Sequence, residues 1–378
     1  MTRDNMFRYL QALILLMLCL MQQYIYAEEL FDSSEWTFSE LGAEVLESEN
    51  QSWVKMTSGQ ISSVFDQFLN GTIEFEFKHE GKRAFAFVYF RQGNGKSETV
   101  YFRTHKSNAP DAVQYSPEFQ DRSAWQIYHG DKGTTAQSLP ENTWIKVKLR
   151  IINNRLDMWI NDQKEPAFEG LLLTGDRQPG KISLRGLIPN GSTASYSAIF
   201  KNIKVIHKKI SNEQIDEKIN QHNSRLEKVN LSQISASTKE PMIQIPDAIR
   251  NGKWTQVTAQ DDGIFEFLRH RAIPQGLRSY SVVAQVFLDS AKPQTCVLHL
   301  GYSDAISVLL NEQIIAHSDA SFRYANNRQQ GVLHDRQLTI FLPIKKGSNT
   351  LQMVVSDSFG GWGLKPTLED CDAEVRLL

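Results

Sequence analysis

With 378 residues the chain is long enough for two domains of ordinary size, each able to bury a core. Hydrophobic residues make up 41% and charged residues 22%, a globular composition that excludes an intrinsically disordered chain. The formal charge of −2 gives no electrostatic reason to expect nucleic acid or an anionic membrane surface as partner.

The N-terminus reads as a targeting segment. Arg3 and Arg8 lead into the run Leu10–Met21, apolar apart from Gln11, and Ala27 offers a small residue before Glu28 and Glu29. The run falls short of the about 20 residues a spanning helix needs. Residues 1–27 are therefore expected to be a signal peptide, with a retained anchor as the alternative, and no stable membrane insertion is expected after cleavage. Cys19 follows Leu18 rather than a small residue, which argues against a lipoprotein. Export to a secreted or periplasmic location would leave Cys296 and Cys371. In an oxidising compartment these suggest one bridge, which the chain-entropy model credits with about 4–5 kcal/mol. Two buried thiols are the alternative.

From residue 28 to 207 short strands alternate with turns. Ser52–Thr57 is one; Gly71–Lys78 alternates cleanly, with Ile73, Phe75 and Phe77 on one side and Thr72, Glu74 and Glu76 on the other. The runs Phe85–Phe90 and Glu98–Arg103 flank a polar Gly-Asn-Gly turn, which predicts a hairpin with Phe85, Phe87 and Tyr89 sharing one face and Val88 and Phe90 the other. Apolar residues on both faces place this hairpin inside a sandwich rather than at its edge. Further strands are expected at Trp144–Ile151, Leu156–Ile160, Gly180–Arg185 and Ser195–Val205, with Asn153-Asn154 and Asn161-Asp162 as turns. The absence of any long helical period argues for a two-sheet antiparallel sandwich.

The succession GTIEFEF, FAFVYFR, ETVYFRTH, DAVQYSPEF, SAWQIY, WIKVKLRI, LDMWIND and FKNIKV resembles the concanavalin A-like lectin/glucanase superfamily. Within it, the chain is most similar to secreted laminin-G-like and keto-glycoside-hydrolase-like bacterial domains. The resemblance implies a jelly-roll sandwich whose concave sheet face receives sugar chains. That superfold carries lectins and enzymes alike, so it leaves function open.

A glycosidase would need two carboxylates across the scissile bond, about 5–5.5 Å apart for retention or about 6.5–9.5 Å for inversion. The acidic trio expected of a glucanase strand is broken here: Glu74 and Glu76 share a face, but the third place is Lys78, and a solvated outer face is the plainer reading. Keto-sugar chemistry would draw on Glu98, Arg103 and His105, clustered after the aromatic hairpin. No His/Cys/Asp spacing suggests a transition-metal site, and no Asp-rich loop supports calcium, so no cofactor is expected. A binding site asks for less: rings that stack on sugar C–H faces and planar polar groups for hydroxyls. Tyr89, Arg91, Tyr101, Arg103, Gln114, Tyr115 and Trp125 supply that mixture. The alternative for residues 111–128 is a loop folded over a sheet edge, with its rings buried as a small core.

Residues 208–241 read as a connector. Ile210, Ile215, Ile219, Leu226 and Val229 recur amid polar residues, and Ser211 with Gln214 fits a capping box, predicting an amphipathic helix over 212–229. Residues 242–378 turn strand-rich again, at Trp254–Val257, Gly263–Arg269, Ser279–Leu288, Cys296–Gly301, Ala305–Leu310, Gln313–His317, Gln337–Leu342 and Asn349–Ser356. Here TCVLHLGYSDAISVLLNEQIIAHS and FLPIKKGSNTLQMVVSDSFGGWGL resemble a galactose-binding-like jelly roll. Asp304, Val308, Leu310 and Asn311 match that family's pattern, and Glu312 replaces its Gly, which puts a tight primed turn in doubt. Gly360-Gly361-Trp362-Gly363 has two readings: a Trp exposed on a glycine loop for stacking, or a Trp closing the core.

The expected architecture is thus all-β, two antiparallel jelly-roll sandwiches joined by a short helical linker. The expected function is an exported carbohydrate- or glycan-binding protein without catalysis. The alternatives are a hydrolase or lyase acting on oligosaccharides and a protein–protein scaffold; the oligomeric state is not legible.

Overall fold

The computed structural model describes residues 31–39, 41–48, 51–130, 133–208, 226–238, 240–323 and 330–378. The leader expected at 1–27 and the main part of the helix expected at 212–229 lie outside them. No helix among the described residues is long and apolar enough to cross a membrane.

Among the described residues the regular secondary structure is almost entirely antiparallel strand, in two face-to-face pairs of sheets. One sheet of the first pair runs in the order Trp36–Phe38, Gln60–Ser63, Lys181–Leu187, Phe85–Gly93, Lys96–Arg103, Val113–Phe119, Thr134–Thr135. The other runs Phe168–Leu172, Arg155–Ile160, Ile145–Ile152, Gly71–Lys78, Ala198–His207, Gln51–Met56, Ala43–Ser48. Strict alternation explains the packing between them. Ile73, Phe75 and Phe77 meet Val88, Phe90, Val100 and Phe102 in one core, while Glu74 and Glu76 face outward towards Lys148 and Lys201. The turns follow the Asn reading: Asn94, Asn153 and Asn161 all take positive φ.

In the second pair, an eight-stranded sheet centred on Tyr280–Ser290 and Gly347–Asp357 covers a four-stranded sheet built from Phe265–Glu266, Gly363–Glu369, Gln294–Ser303 and Leu338–Ile344. Cys296 and Cys371 are bonded, with Cα atoms 4.7 Å apart, inside this core. Asn311 and Glu312 turn between Ala305–Leu310 and Gln313–Asp319 at φ of 51° and 68°, so Glu312 adopts the conformation that glycine would ease.

Two expectations are corrected. Leu226 and Val229 end no helix: Lys228–Leu231 and Ser235–Ala236 are strands of the eight-stranded sheet, so the second sandwich starts within the stretch read as connector. Val229 and Leu231 are buried at a spacing of two, a strand signal that the looser helical pattern upstream masked. Gly263–Arg269 is only partly strand, because Phe267–Arg269 closes into a 3₁₀ turn.

The two sandwiches share buried surface. Ile264 and Leu333 of the second belong to the first core, and Phe119 of the first belongs to the second. The segment Ala124–Tyr128 carries the joint. The Gln126 side chain, fully buried, donates to the Gln330 carbonyl at 2.7 Å, and its main-chain N–H donates to Gly360 O at 2.9 Å. Gln120 donates to the carbonyls of Leu268 and Arg271 at 2.6 and 2.7 Å.

Candidate functional site

The hairpin's outward face builds the floor of a cavity. Residues two apart on a strand point the same way, so Phe85, Phe87 and Tyr89 form a ladder of rings with centroids 6.1 and 5.8 Å apart. Antiparallel register sets Tyr101 opposite Phe87, adding a fourth ring at 5.3 Å. Phe85 and Phe87 are half-buried and open to a cavity of about 590 Å³ between this sheet face and the loops of the second sandwich. Trp125 forms one wall with Phe322 and Phe359, the three rings meeting edge-on or tilted at 5.8 to 6.3 Å. Phe359 is 51% exposed.

A polar network lies under the rings. Arg103 donates through Nη1 to the Asp111 carbonyl at 3.0 Å and to its carboxylate. Through Nη2 it donates to Tyr101 Oη and Gln114 Oε1, each at 2.9 Å. Lys106 also donates to the Asp111 carboxylate, at 2.7 Å. Burial alone would raise the Asp111 pKa, but Arg103 and Lys106 hold it below the usual carboxylate range. Gln114 spends its amide on the carbonyls of Trp125 and Tyr128, at 2.7 and 3.2 Å, which fixes the Trp125 wall. Burial pushes the Tyr101 hydroxyl up to about 12, keeping it a hydrogen-bond donor at neutral pH. His105 also lines the cavity, with its ring edge-on to Phe85 at 5.5 Å. Burial first, and then Lys106, Arg83 and Arg103, lower its pKa, so it is neutral at pH 7. Its Nδ1 is buried without a hydrogen-bond partner among the described residues.

Several residues expected at the site are elsewhere. Glu98, Tyr115 and Arg91 lie on the reverse side of the same sheet, 1%, 0% and 4% exposed. The reason is parity: Glu98 sits an odd number of residues from Tyr101 and Arg103, and Tyr115 is opposite Val100 in the core-facing row. Arg91 lies in a bulge at φ 53° and is spent on the carbonyls of Leu69 and Asn153, 2.9 and 2.5 Å away, with Glu98 Oε1 at 3.8 Å. Tyr115 donates to Glu98 Oε2 at 2.6 Å. Trp362 is fully buried, its Nε1 donating to Val355 O at 3.1 Å and its ring against Tyr280 and Phe267. Gly360 and Gly361, at φ of 90° and 145°, bring the main chain against Trp125, Gln126 and Ile127 of the first sandwich. The close approach those glycines allow is to protein. Tyr89 is 2% exposed and continues the ladder outside the cavity lining. Gln114 is fully buried as a support.

Of the residues expected to bind, Tyr101, Arg103 and Trp125 line the cavity, as does His105 from the catalytic alternative. Sequence reasoning missed Arg83, Lys106, Asp111 and Arg122, and the side chains of the second sandwich, among them Leu268, Tyr280, Phe322, Asp357 and Phe359; of that sandwich it singled out only the loop of Gly360 and Gly361, whose main chain does reach the lining. Phe85 and Phe87 carried a signal, since they share parity with Tyr89. The side chains of the second sandwich carried none, because only docking brings them to the first. Among the described residues no cluster of His, Cys, Asp and Glu could hold a metal ion.

No curated protein matches the chain. Among solved structures it is similar to the carbohydrate-binding module CBM66 from Bacillus subtilis, at 12% identity and a TM-score of 0.33, covering 45% of this chain and 93% of that one. It is likewise similar to a Bacillus licheniformis beta-glucanase at 13% identity and a TM-score of 0.33, covering 47% and 94%. A glycoside hydrolase family 16 endo-glucanase from Bacteroides ovatus aligns at 12% identity and a TM-score of 0.32, over 47% and 96%. The first sandwich, over residues 27–206, matches the family described as the 3-keto-alpha-glucoside-1,2-lyase-like domain, consistent with the concanavalin A-like resemblance read from its strands.

Proposed function

We propose that this protein binds carbohydrate in the cavity between its two sandwiches. The observation that carries the proposal is the ring floor of half-buried Phe85 and Phe87, backed by buried Tyr101, facing the Trp125 wall across about 590 Å³. Such a volume lies within the range of small-molecule sites, roughly 300–1,000 Å³. Sugar rings present C–H faces that stack on aromatic rings, while their hydroxyls take hydrogen bonds from the rim. The family's description, which names a glucoside, supports the same ligand class. The Cys296–Cys371 bond supports an oxidising, exported location. Binding of oligosaccharides to the whole chain, measured by calorimetry and weakened in Phe87→Ala, tests the reading. If no glycan binds and a protein is captured instead, the scaffold alternative holds.

A second reading, a lyase or hydrolase on oligosaccharides, is favoured by one observation. His105, neutral and with a free Nδ1, shares the cavity with ionised Asp111. In this reading His105 is the acid–base group, and Glu98 has no part because the sheet separates it from the cavity. Release of a smaller sugar product, abolished in His105→Ala and unchanged in Glu98→Gln, would establish it.

A further inference from the structure

We infer that the cavity selects an acidic saccharide, one bearing a carboxylate or sulfate, over a neutral one. The inference rests on the saccharide reading above and names its ligand class. Two carboxylates line the cavity, Asp111 and Asp357, against four cations: Arg83, Arg103, Lys106 and Arg122. The excess is positive in a chain whose formal charge is −2.

The pairing sharpens this. Asp111 is shared by Arg103 and Lys106. Asp357 accepts the Tyr280 hydroxyl at 2.7 Å and the Phe359 N–H at 3.3 Å. Among the described residues no carboxylate pairs with Arg83 or Arg122, and both are exposed. The Arg122 guanidinium lies 6.0 Å from the centre of the Tyr280 ring, at the cavity wall. Guanidinium forks match planar carboxylates and sulfate edges, which they can grip through two parallel N–H groups. His105 registers the same field: Lys106, Arg83 and Arg103 all add to its lowered pKa. An anionic ligand offsets those charges.

The test is calorimetric titration of the full chain with oligogalacturonate, a sulfated galactan oligosaccharide and a neutral cello-oligosaccharide, at low and high salt. The expected result is at least about tenfold tighter binding of an acidic probe than of the neutral one at low salt, with the preference shrinking as salt screens it. Arg83→Gln and Arg122→Gln each lower acidic affinity by about tenfold, a larger loss than either causes for the neutral probe. The His105 pKa, followed by NMR, rises when the acidic probe binds. Which acidic probe binds distinguishes carboxylate from sulfate. Equal, salt-insensitive binding of all probes overturns the acidic preference and leaves the saccharide reading standing. Binding of none of them to a folded chain overturns both.

Discussion

The side-chain amide of Gln126 donates to the main-chain oxygen of Gln330 at 2.7 Å, across 204 positions of sequence. The Leu333 N–H returns a bond to the Gln126 carbonyl at 2.9 Å, and Tyr128 reaches Glu266 at 3.2 Å. The cavity exists only because this joint holds the second sandwich over the ring floor. A single calorimetric unfolding transition is expected for the two sandwiches. Gln126→Ala leaves buried partners unsatisfied and should cost about 1–3 kcal/mol. Two well-separated transitions in the unaltered protein would contradict the shared core.

Gly360 offers a sharper probe of the same joint. Its φ of 90° and the absence of room at its Cβ position, where Gln126 Oε1 would lie at 2.5 Å and Trp125 Nε1 at 2.7 Å, both oppose a side chain. Gly360→Ala is expected to destabilise by more than about 1 kcal/mol and to weaken saccharide binding. Gly347→Ala, at φ 92° but with nothing near the added carbon, should lower stability without touching binding. Comparing melting temperature with affinity in the two variants checks this.

Burial pushes Glu98 up to about 7, against the lowering effects of Tyr115 and Arg91. It does the same to Glu266, against Arg269. A carboxyl whose folded pKa exceeds its unfolded one holds its proton more tightly when folded. Its stabilising contribution is therefore full below the ordinary carboxylate range and is lost as pH rises towards 7. His79, lowered to about 4 by burial, works in the opposite direction over the range from about 4 to 6.5. The decisive readout is the difference between the protein and Glu98→Gln/Glu266→Gln. The variant should gain relative stability between about pH 5 and pH 7, by a few kcal/mol at about 1.4 kcal/mol per pKa unit. Parallel stability–pH curves would refute it.

The Cys296–Cys371 bond links positions 75 apart within the second core. Cys296→Ser/Cys371→Ser should lower stability by about 4 kcal/mol, measured by denaturant titration under oxidising conditions. An unchanged midpoint would show that the bond constrains little of the unfolded chain.

Trp125→Ala removes the wall facing the ring floor. Saccharide affinity should fall by about tenfold or more with a modest loss of stability, because Trp125 is only half-buried and its edge-on partners Phe322 and Phe359 line the same cavity. Undiminished affinity would place the ligand elsewhere.

Strand parity made much of the first sandwich legible. Phe85, Phe87 and Tyr89 alternate with Val88 and Phe90, and the structure keeps both rows. The same rule, applied across the hairpin, would have separated Tyr101 and Arg103 from Glu98; density of rings along the chain was the weaker guide. Arg91 escaped parity altogether, because a bulge re-aims it. Trp362 was ambiguous for a local reason: a glycine pair permits an exposed turn and a tight docking turn equally well.

By itself the order of residues determined two all-β units, their hairpin turns and the ring-rich face, because alternation and turn chemistry act over a few neighbouring positions. The tertiary structure decided which polar groups were turned into the core, that Val229 lies in a strand, and that Tyr280, Asp357 and Phe359 line the same cavity as Phe87. Those outcomes depend on register, bulges and the docking of surfaces separated by more than a hundred residues, where burial and hydrogen-bond satisfaction outweigh local preference.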